Sequence, residues 1–146
     1  MRIVKNSMKV VFAAVSENEA FARTVITGFI ARYDITTEEL ADVKTAVSEA
    51  VTNAIVHGYR NSYGFVTMEA RLYLDGELYI AVSDKGCGIE DVKKAMEPFY
   101  TTASLEERCG MGFAIMKSFT DKMKVTSVPG RGTKVILRKK LQEATY

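Results

Sequence analysis

Cysteine is scarce in this chain of 146 residues: Cys87 and Cys109 are the only two, and no CxxC pair occurs. That excludes a disulfide framework and a cysteine-based metal site as the organising principle, and it fits two reduced thiols in an intracellular setting. Histidine is scarcer still, with His57 alone near the end of a long helical pattern. A chain with one histidine there has no separate phosphoacceptor-histidine segment. No apolar run approaches the roughly 18 residues that would span a bilayer. The opening MRIVKNSMKVVFAAVSENE alternates instead of forming a leader, so it reads as a first strand. A cytoplasmic protein with no membrane contact is therefore expected. Charge of one sign is also lacking. The net charge is +2, too small to imply direct nucleic-acid binding, and the basic run at 138–140 reads as a solvated end. Repeats, low-complexity segments and linkers are absent.

What is present is ordinary for a globular protein: 47% hydrophobic and 26% charged residues, in a length that fits a single domain over 1–146. Residues 8–15 predict a strand, and the apolar spacing at 21, 25, 26, 29 and 30 predicts a helix over 17–33. Thr36 followed by Glu39 is a capping-box pattern, and Gly58 is a natural stop. Between them a long helix carries Leu40, Val43, Val47, Val51 and Ala54 on one stripe. The segments 64–74 and 77–83 alternate around Asp75-Gly76, a hairpin signal. A short helix is expected at 90–96, a mobile segment without clean period at 97–109, and a helix at 112–120. MKVTSV and TKVILRK form a second hairpin around PGRG. Hairpins with helices segregated from them predict an α+β fold: a two-layer sandwich whose mixed, mostly antiparallel sheet is covered on one face by helices, leaving the other face open to solvent.

Several residues could carry chemistry. Glu49 and Asn53, in EAVTNAIVHGYR, project about 40° apart at roughly 100° per residue, on the flank of the apolar stripe. The carboxylate could act as a general base, and the carboxamide oxygen could face a hard cation such as Mg²⁺; the pair also fits a plain polar helix flank. DKGCGI, 84–89, follows a strand, and its two glycines let the backbone turn sharply against a flat ligand. Asp84 there could accept a hydrogen bond from an exocyclic amine such as that of adenine. The dinucleotide fingerprint fails, because its third glycine position is Asp91. GMGFAIMKSF, 110–119, opens a helix with glycines, an end whose free amides favour phosphate, and it is not a Walker A loop. GRGT, 130–133, is most simply a hairpin turn.

The order of these pieces is more specific than any one of them. An E-x-x-x-N helix, D-x-G-x-G after a strand, a mobile segment, G-x-G before a helix and G-T in a late hairpin resemble the GHKL ATPase superfamily over about residues 36–138. Within it, SEAVTNAIVHGY, CGMGFAIMKSFTD and FARTVITGFIARYDIT look most like the serine-kinase anti-sigma factors of sporulation. The resemblance implies the Bergerat ATP-binding fold and ATP/ADP with Mg²⁺ as ligands. It implies Glu49 as general base and Asn53 as the Mg²⁺ ligand. Asp84 would sit on the adenine amino group, with Gly86 and Gly88 shaping the base pocket and Thr133 completing it. Gly110 and Gly112 would lie at the phosphates, with Arg108 in the lid and able to reach the terminal phosphate.

The implied activity is protein serine/threonine kinase: inhibition of a sporulation sigma factor, and phosphorylation of an anti-anti-sigma antagonist on serine. A homodimer is implied as well, with the first helix and its Arg23 and Arg32 as a candidate partner surface. The competing readings are a general-stress anti-sigma kinase, a stand-alone histidine-kinase-like ATPase domain, a gyrase- or Hsp90-type ATPase, and a nucleotide-gated binding module without catalysis.

Overall fold

The computed structural model describes residues 2–60, 62–97 and 112–142. Its elements follow the expected order: β1 (Val4–Ala13), α1 (Glu17–Ile30), α2 (Thr37–Thr52), a π-helical turn (Asn53–Gly58), β2 (Phe65–Tyr73), β3 (Glu77–Asp84), α3 (Val92–Ala95), α4 (Gly112–Ser118), β4 (Lys122–Val128) and β5 (Gly132–Lys140). The stretch expected to be mobile lies almost wholly outside the described residues.

The start of α2 is fixed by its first four residues. Thr36 Oγ1 accepts the Glu39 N–H at 3.0 Å, and Glu39 Oε1 accepts the Thr36 N–H at 3.0 Å, closing the capping box. The second carboxylate oxygen does something local sequence does not show: Oε2 accepts the N–H of Gln142, just past β5, at 2.8 Å. Burial pushes the Glu39 pKa up, but the hydrogen bonds from Thr36 and Gln142 outweigh it and hold the carboxyl below the ordinary glutamate range. An acid whose native pKa is depressed stabilises the fold above its unfolded value, and that contribution is lost as pH falls through the native value. Glu39→Gln is therefore expected to lower stability at neutral pH and to flatten the acid limb of a denaturation-versus-pH series. An unchanged acid limb would remove Glu39 from the acid response.

The helix that begins at Thr37 is α-helical only to Thr52, where a single α-helix to Gly58 is expected from the periodicity. The last turn widens: the Tyr59 N–H reaches the Ala54 carbonyl, five residues back, at 3.2 Å. Its carbonyls are engaged elsewhere. Gly58 O accepts the Cys87 N–H at 2.8 Å, and His57 O accepts the Cys87 thiol at 3.2 Å. The widened turn carries these end carbonyls, which have no partner within a helix, to the loop after β3.

The five strands pair in the order β1-β2-β3-β5-β4, and each of the four pairings is antiparallel, so no parallel component of the expected mixed sheet occurs among the described residues. One face packs on α1 and α2. Val66, Met68, Ala70 and Leu72 of β2 alternate inward and are fully buried against Ile26, Ile30, Val43, Val47 and Val51. Burying side chains of this kind contributes about 1.5–3 kcal/mol each. Leu40, expected on the stripe, is only half-buried.

Among the described residues the opposite face has no helical layer, as expected, yet β3 is buried on both sides. Tyr79 and Ala81 point away from the helices and are still buried. The guanidinium groups of Arg71 and Arg138, on the neighbouring strands, lie 5.0 and 4.8 Å from the centre of the Tyr79 ring. Long cationic side chains thus cover the middle of the sheet with their stems and cation–π contacts. No helix among the described residues is long and apolar enough to cross a membrane.

Candidate functional site

A cleft of about 610 Å³ opens between the end of α2, the π turn and the ends of β3 and β5, within the range typical of small-molecule sites. Asn53 stands at one side, where the α-helix becomes π. Asp84, the last residue of β3, also lines the cleft, and Gly88, Gly112 and Thr133 complete this part of the wall. Five of the residues singled out from sequence therefore meet in one cavity. Gly86 packs beneath it, against the π turn. Glu49 is half-buried one turn before Asn53 on α2, beside the lining and not in it. Arg108 and Gly110 lie outside the described residues.

Asp84 is held by its own turn. Its Oδ1 accepts the Gly86 N–H at 2.9 Å, and the backbone of Thr133 is a second donor. Burial is the stronger influence and raises the Asp84 pKa above the ordinary aspartate range, against those hydrogen bonds, which lower it. The ionised carboxylate is therefore a liability for the fold at neutral pH. For an acid whose native pKa is raised, that deficit shrinks as pH falls through the native value towards the unfolded one. A half-buried acceptor kept at such a cost is more use to a ligand than to the fold.

The glycines next to it are there for space. A Cβ on Gly86 would lie 2.0 Å from the Gly58 carbonyl oxygen, and one on Gly88 would lie 2.3 Å from the Val128 carbonyl oxygen. Gly88 also has φ of +74°, where side chains are disfavoured. Thr133 shares a 2.8 Å hydrogen bond with Ser127 Oγ, which also accepts the Ile89 N–H at 2.8 Å. This ties the loop after β3 to the β4–β5 hairpin.

Sequence reasoning missed several residues of the cleft. His57, noted from sequence only for its scarcity and position, lines it, as do Cys87, Arg60 and Ile89. Ser127 and Gly58 are missed because their contacts are long-range. Gly58 serves as more than a helix stop, since a Cβ there would lie 2.9 Å from the Asp84 carboxylate. Of the two arginines proposed as a partner surface, Arg23 donates to Ser48 Oγ on α2 at 3.0 Å, and Arg32 is exposed past the end of α1.

The cavity suits a nucleotide. On its Asp84 side a carboxylate acceptor lies beside glycine backbone at Gly88, which leaves room for a flat base to approach closely. Among the described residues no group of three His, Cys, Asp or Glu side chains could hold a metal by itself. A lone carboxamide oxygen at Asn53 does fit Mg²⁺, which takes few protein ligands and completes its shell with water and phosphate oxygens.

Residues 12–139 match the family model described as histidine kinase-like ATPase domain. The anti-sigma F factor of Caldanaerobacter subterraneus is 53% identical over 134 residues, covering 92% of this chain and 93% of that one. The anti-sigma F factor of Clostridium acetobutylicum is 54% identical over 138 residues, covering 94% and 96%. A crystal structure of the RsbU and RsbW domains of a Mycobacterium tuberculosis protein superposes with a TM-score of 0.70 at 21% identity, over 97% of this chain and 34% of that chain, a likeness of fold.

Proposed function

Since the chain belongs to the histidine kinase-like ATPase family and, within it, to the anti-sigma F factors, we propose that it is a Mg-ATP-dependent protein serine kinase that binds and restrains a sporulation sigma factor and phosphorylates that factor's antagonist on serine. The observation that carries the reading is the meeting of Asn53, Asp84, Gly88, Gly112 and Thr133 on one cleft.

The residues take these roles. Asp84 accepts a hydrogen bond from the adenine amino group while Gly86 and Gly88 keep the base pocket flat. Thr133 closes the adenine side. Asn53 would supply a neutral oxygen to Mg²⁺, and Gly110 and Gly112 would serve the phosphates, with Arg108 as a cation for the terminal one. Mg-ATP, when bound, would supply the phosphoryl group, with the Mg²⁺ offsetting part of the phosphate charge. Phosphoryl transfer then asks the protein chiefly for alignment and electrostatics. Glu49 would orient the serine hydroxyl and take its proton as the oxygen bonds to the terminal phosphorus and ADP leaves. The same reading makes the protein a single domain over 1–146, a cytoplasmic homodimer, and a regulator that acts on the sigma factor without touching nucleic acid.

Incubation with labelled Mg-ATP and a candidate antagonist is expected to place acid-stable phosphate on serine. Acid-labile phosphohistidine would replace this reading with the histidine-kinase one, and nucleotide binding without transfer would replace it with a gated binding module. Asp84→Asn separates ligand from fold. It is expected to weaken ADP binding by roughly tenfold or more, the size of a lost charge-assisted hydrogen bond, and to raise the unfolding midpoint because a buried charge is removed. Calorimetric titration and thermal melts read both. Unchanged ADP affinity would remove Asp84 from the adenine site.

A further inference from the structure

Tyr59 is the first residue after the π turn, and it is buried, with 7% of its surface exposed. Its hydroxyl makes two hydrogen bonds to backbone that lies far away in sequence. Oη accepts the Lys85 N–H at 2.8 Å and donates to the Phe65 carbonyl at 2.6 Å. Lys85 immediately follows Asp84. The phenol thus fastens the residue after the proposed base-reading carboxylate to the start of β2, across the end of the helix that carries Asn53.

The surroundings are cut to fit this ring. A Cβ on Gly64 would lie 2.0 Å from Tyr59 Cε1, so the position beside the ring is closed to any side chain. The loop is fastened to the same turn a second time through the Cys87 N–H on Gly58 O. Both fastenings sit on the Asp84 side of the cleft. A hydroxyl that uses its one proton and one lone pair on two separate backbone segments sets a geometry as well as filling space.

We infer that Tyr59 is a positioning residue for base recognition: its hydroxyl fixes the turn that aims the Asp84 carboxylate, and it does not serve the phosphate end of the cleft. The inference rests on the nucleotide reading given above. Phenylalanine keeps the ring against Gly64 but strands the Lys85 N–H and the Phe65 carbonyl. The turn then relaxes, and Asp84 no longer presents its acceptor at a fixed angle.

The test compares three probes on the full chain by calorimetric titration: ADP, IDP, whose base lacks the exocyclic amine, and Mg-tripolyphosphate, which lacks a base. The unaltered protein is expected to prefer ADP over IDP. Tyr59→Phe is expected to lose roughly tenfold in ADP affinity, the size of a stranded hydrogen-bonding group. The preference over IDP collapses towards unity while tripolyphosphate affinity holds. Gly64→Ala, which displaces the ring and leaves the hydroxyl in place chemically, is expected to give the same pattern.

Retention of the ADP preference in both variants overturns the inference. So does an equal loss for all three probes, which marks Tyr59 as merely structural. An unaltered protein indifferent to the base overturns the adenine pocket itself, and this inference with it.

Discussion

Glu49→Gln is expected to lower phosphate transfer by about 10²- to 10⁴-fold, the usual contribution of a general base, while ADP affinity stays nearly unchanged. The separation follows from position. Asn53 lines the cleft and Glu49 stands one turn earlier, half-buried beside it. A side chain placed there can meet an incoming hydroxyl without contributing to the proposed base pocket around Asp84. Glutamine keeps the size and the hydrogen-bonding reach of glutamate but cannot take a proton at neutral pH. Single-turnover transfer with labelled ATP, alongside calorimetric ADP titration, reads the two quantities separately. Loss of both would make Glu49 a structural residue, and retention of transfer would move the base elsewhere.

Gly86→Ala is expected to act on binding and fold together. The added Cβ would meet backbone at every near contact: the Gly58 carbonyl oxygen at 2.0 Å, its carbon at 2.3 Å and its Cα at 2.9 Å. No side chain can swing aside to make room, so the loop must part from the π turn. The Cys87–Gly58 hydrogen bond of 2.8 Å then opens, and Asp84 shifts relative to Asn53. A displacement of about 1 Å there costs on the order of 10²-fold in transfer rate, and forcing an extra methyl into a packed contact costs about 1–3 kcal/mol of stability. Gly28→Ala is the control. It sits within α1 with nothing inside 4 Å of its Cβ, and alanine there is expected to stabilise by about 0.5–1 kcal/mol. Normal ADP affinity and stability in Gly86→Ala would mean that the loop does not need the turn.

Local chemistry explains what could be read from sequence. Thr36 and Glu39 are three residues apart, so their capping box is written in one short string. The hairpins β2–β3 and β4–β5 are announced by Asp75-Gly76 and by the glycines at 130 and 132. The order of motifs then carried Asn53, Asp84, Gly88, Gly112 and Thr133 to one family pattern, and the fold brings them to one cleft. Relations across the chain could not be read. Nothing near Glu39 points to Gln142, and nothing near Gly58 points to Asp84. The antiparallel placement of β5 beside β3 depends on contacts some fifty residues apart (Asp84 faces Thr133). The π turn was hidden because the apolar spacing of NAIVHG satisfies a helix of either width. Tyr79 was misleading in the opposite direction. Alternation marks it as a solvent-facing position, and only the neighbouring strands reveal the two guanidinium groups that cover it.

The burial of β3 on both faces bears on how the site opens. Residues 78–82 are enclosed from both sides, and β3 is bonded along both edges, to β2 and to β5. Such a strand exchanges its amide hydrogens slowly, because exposing them requires the whole sheet to come apart. Asp84 ends that strand. The carboxylate proposed to read the base is thus anchored to a strand held on both edges and both faces, and a base arriving there would meet a wall already in place.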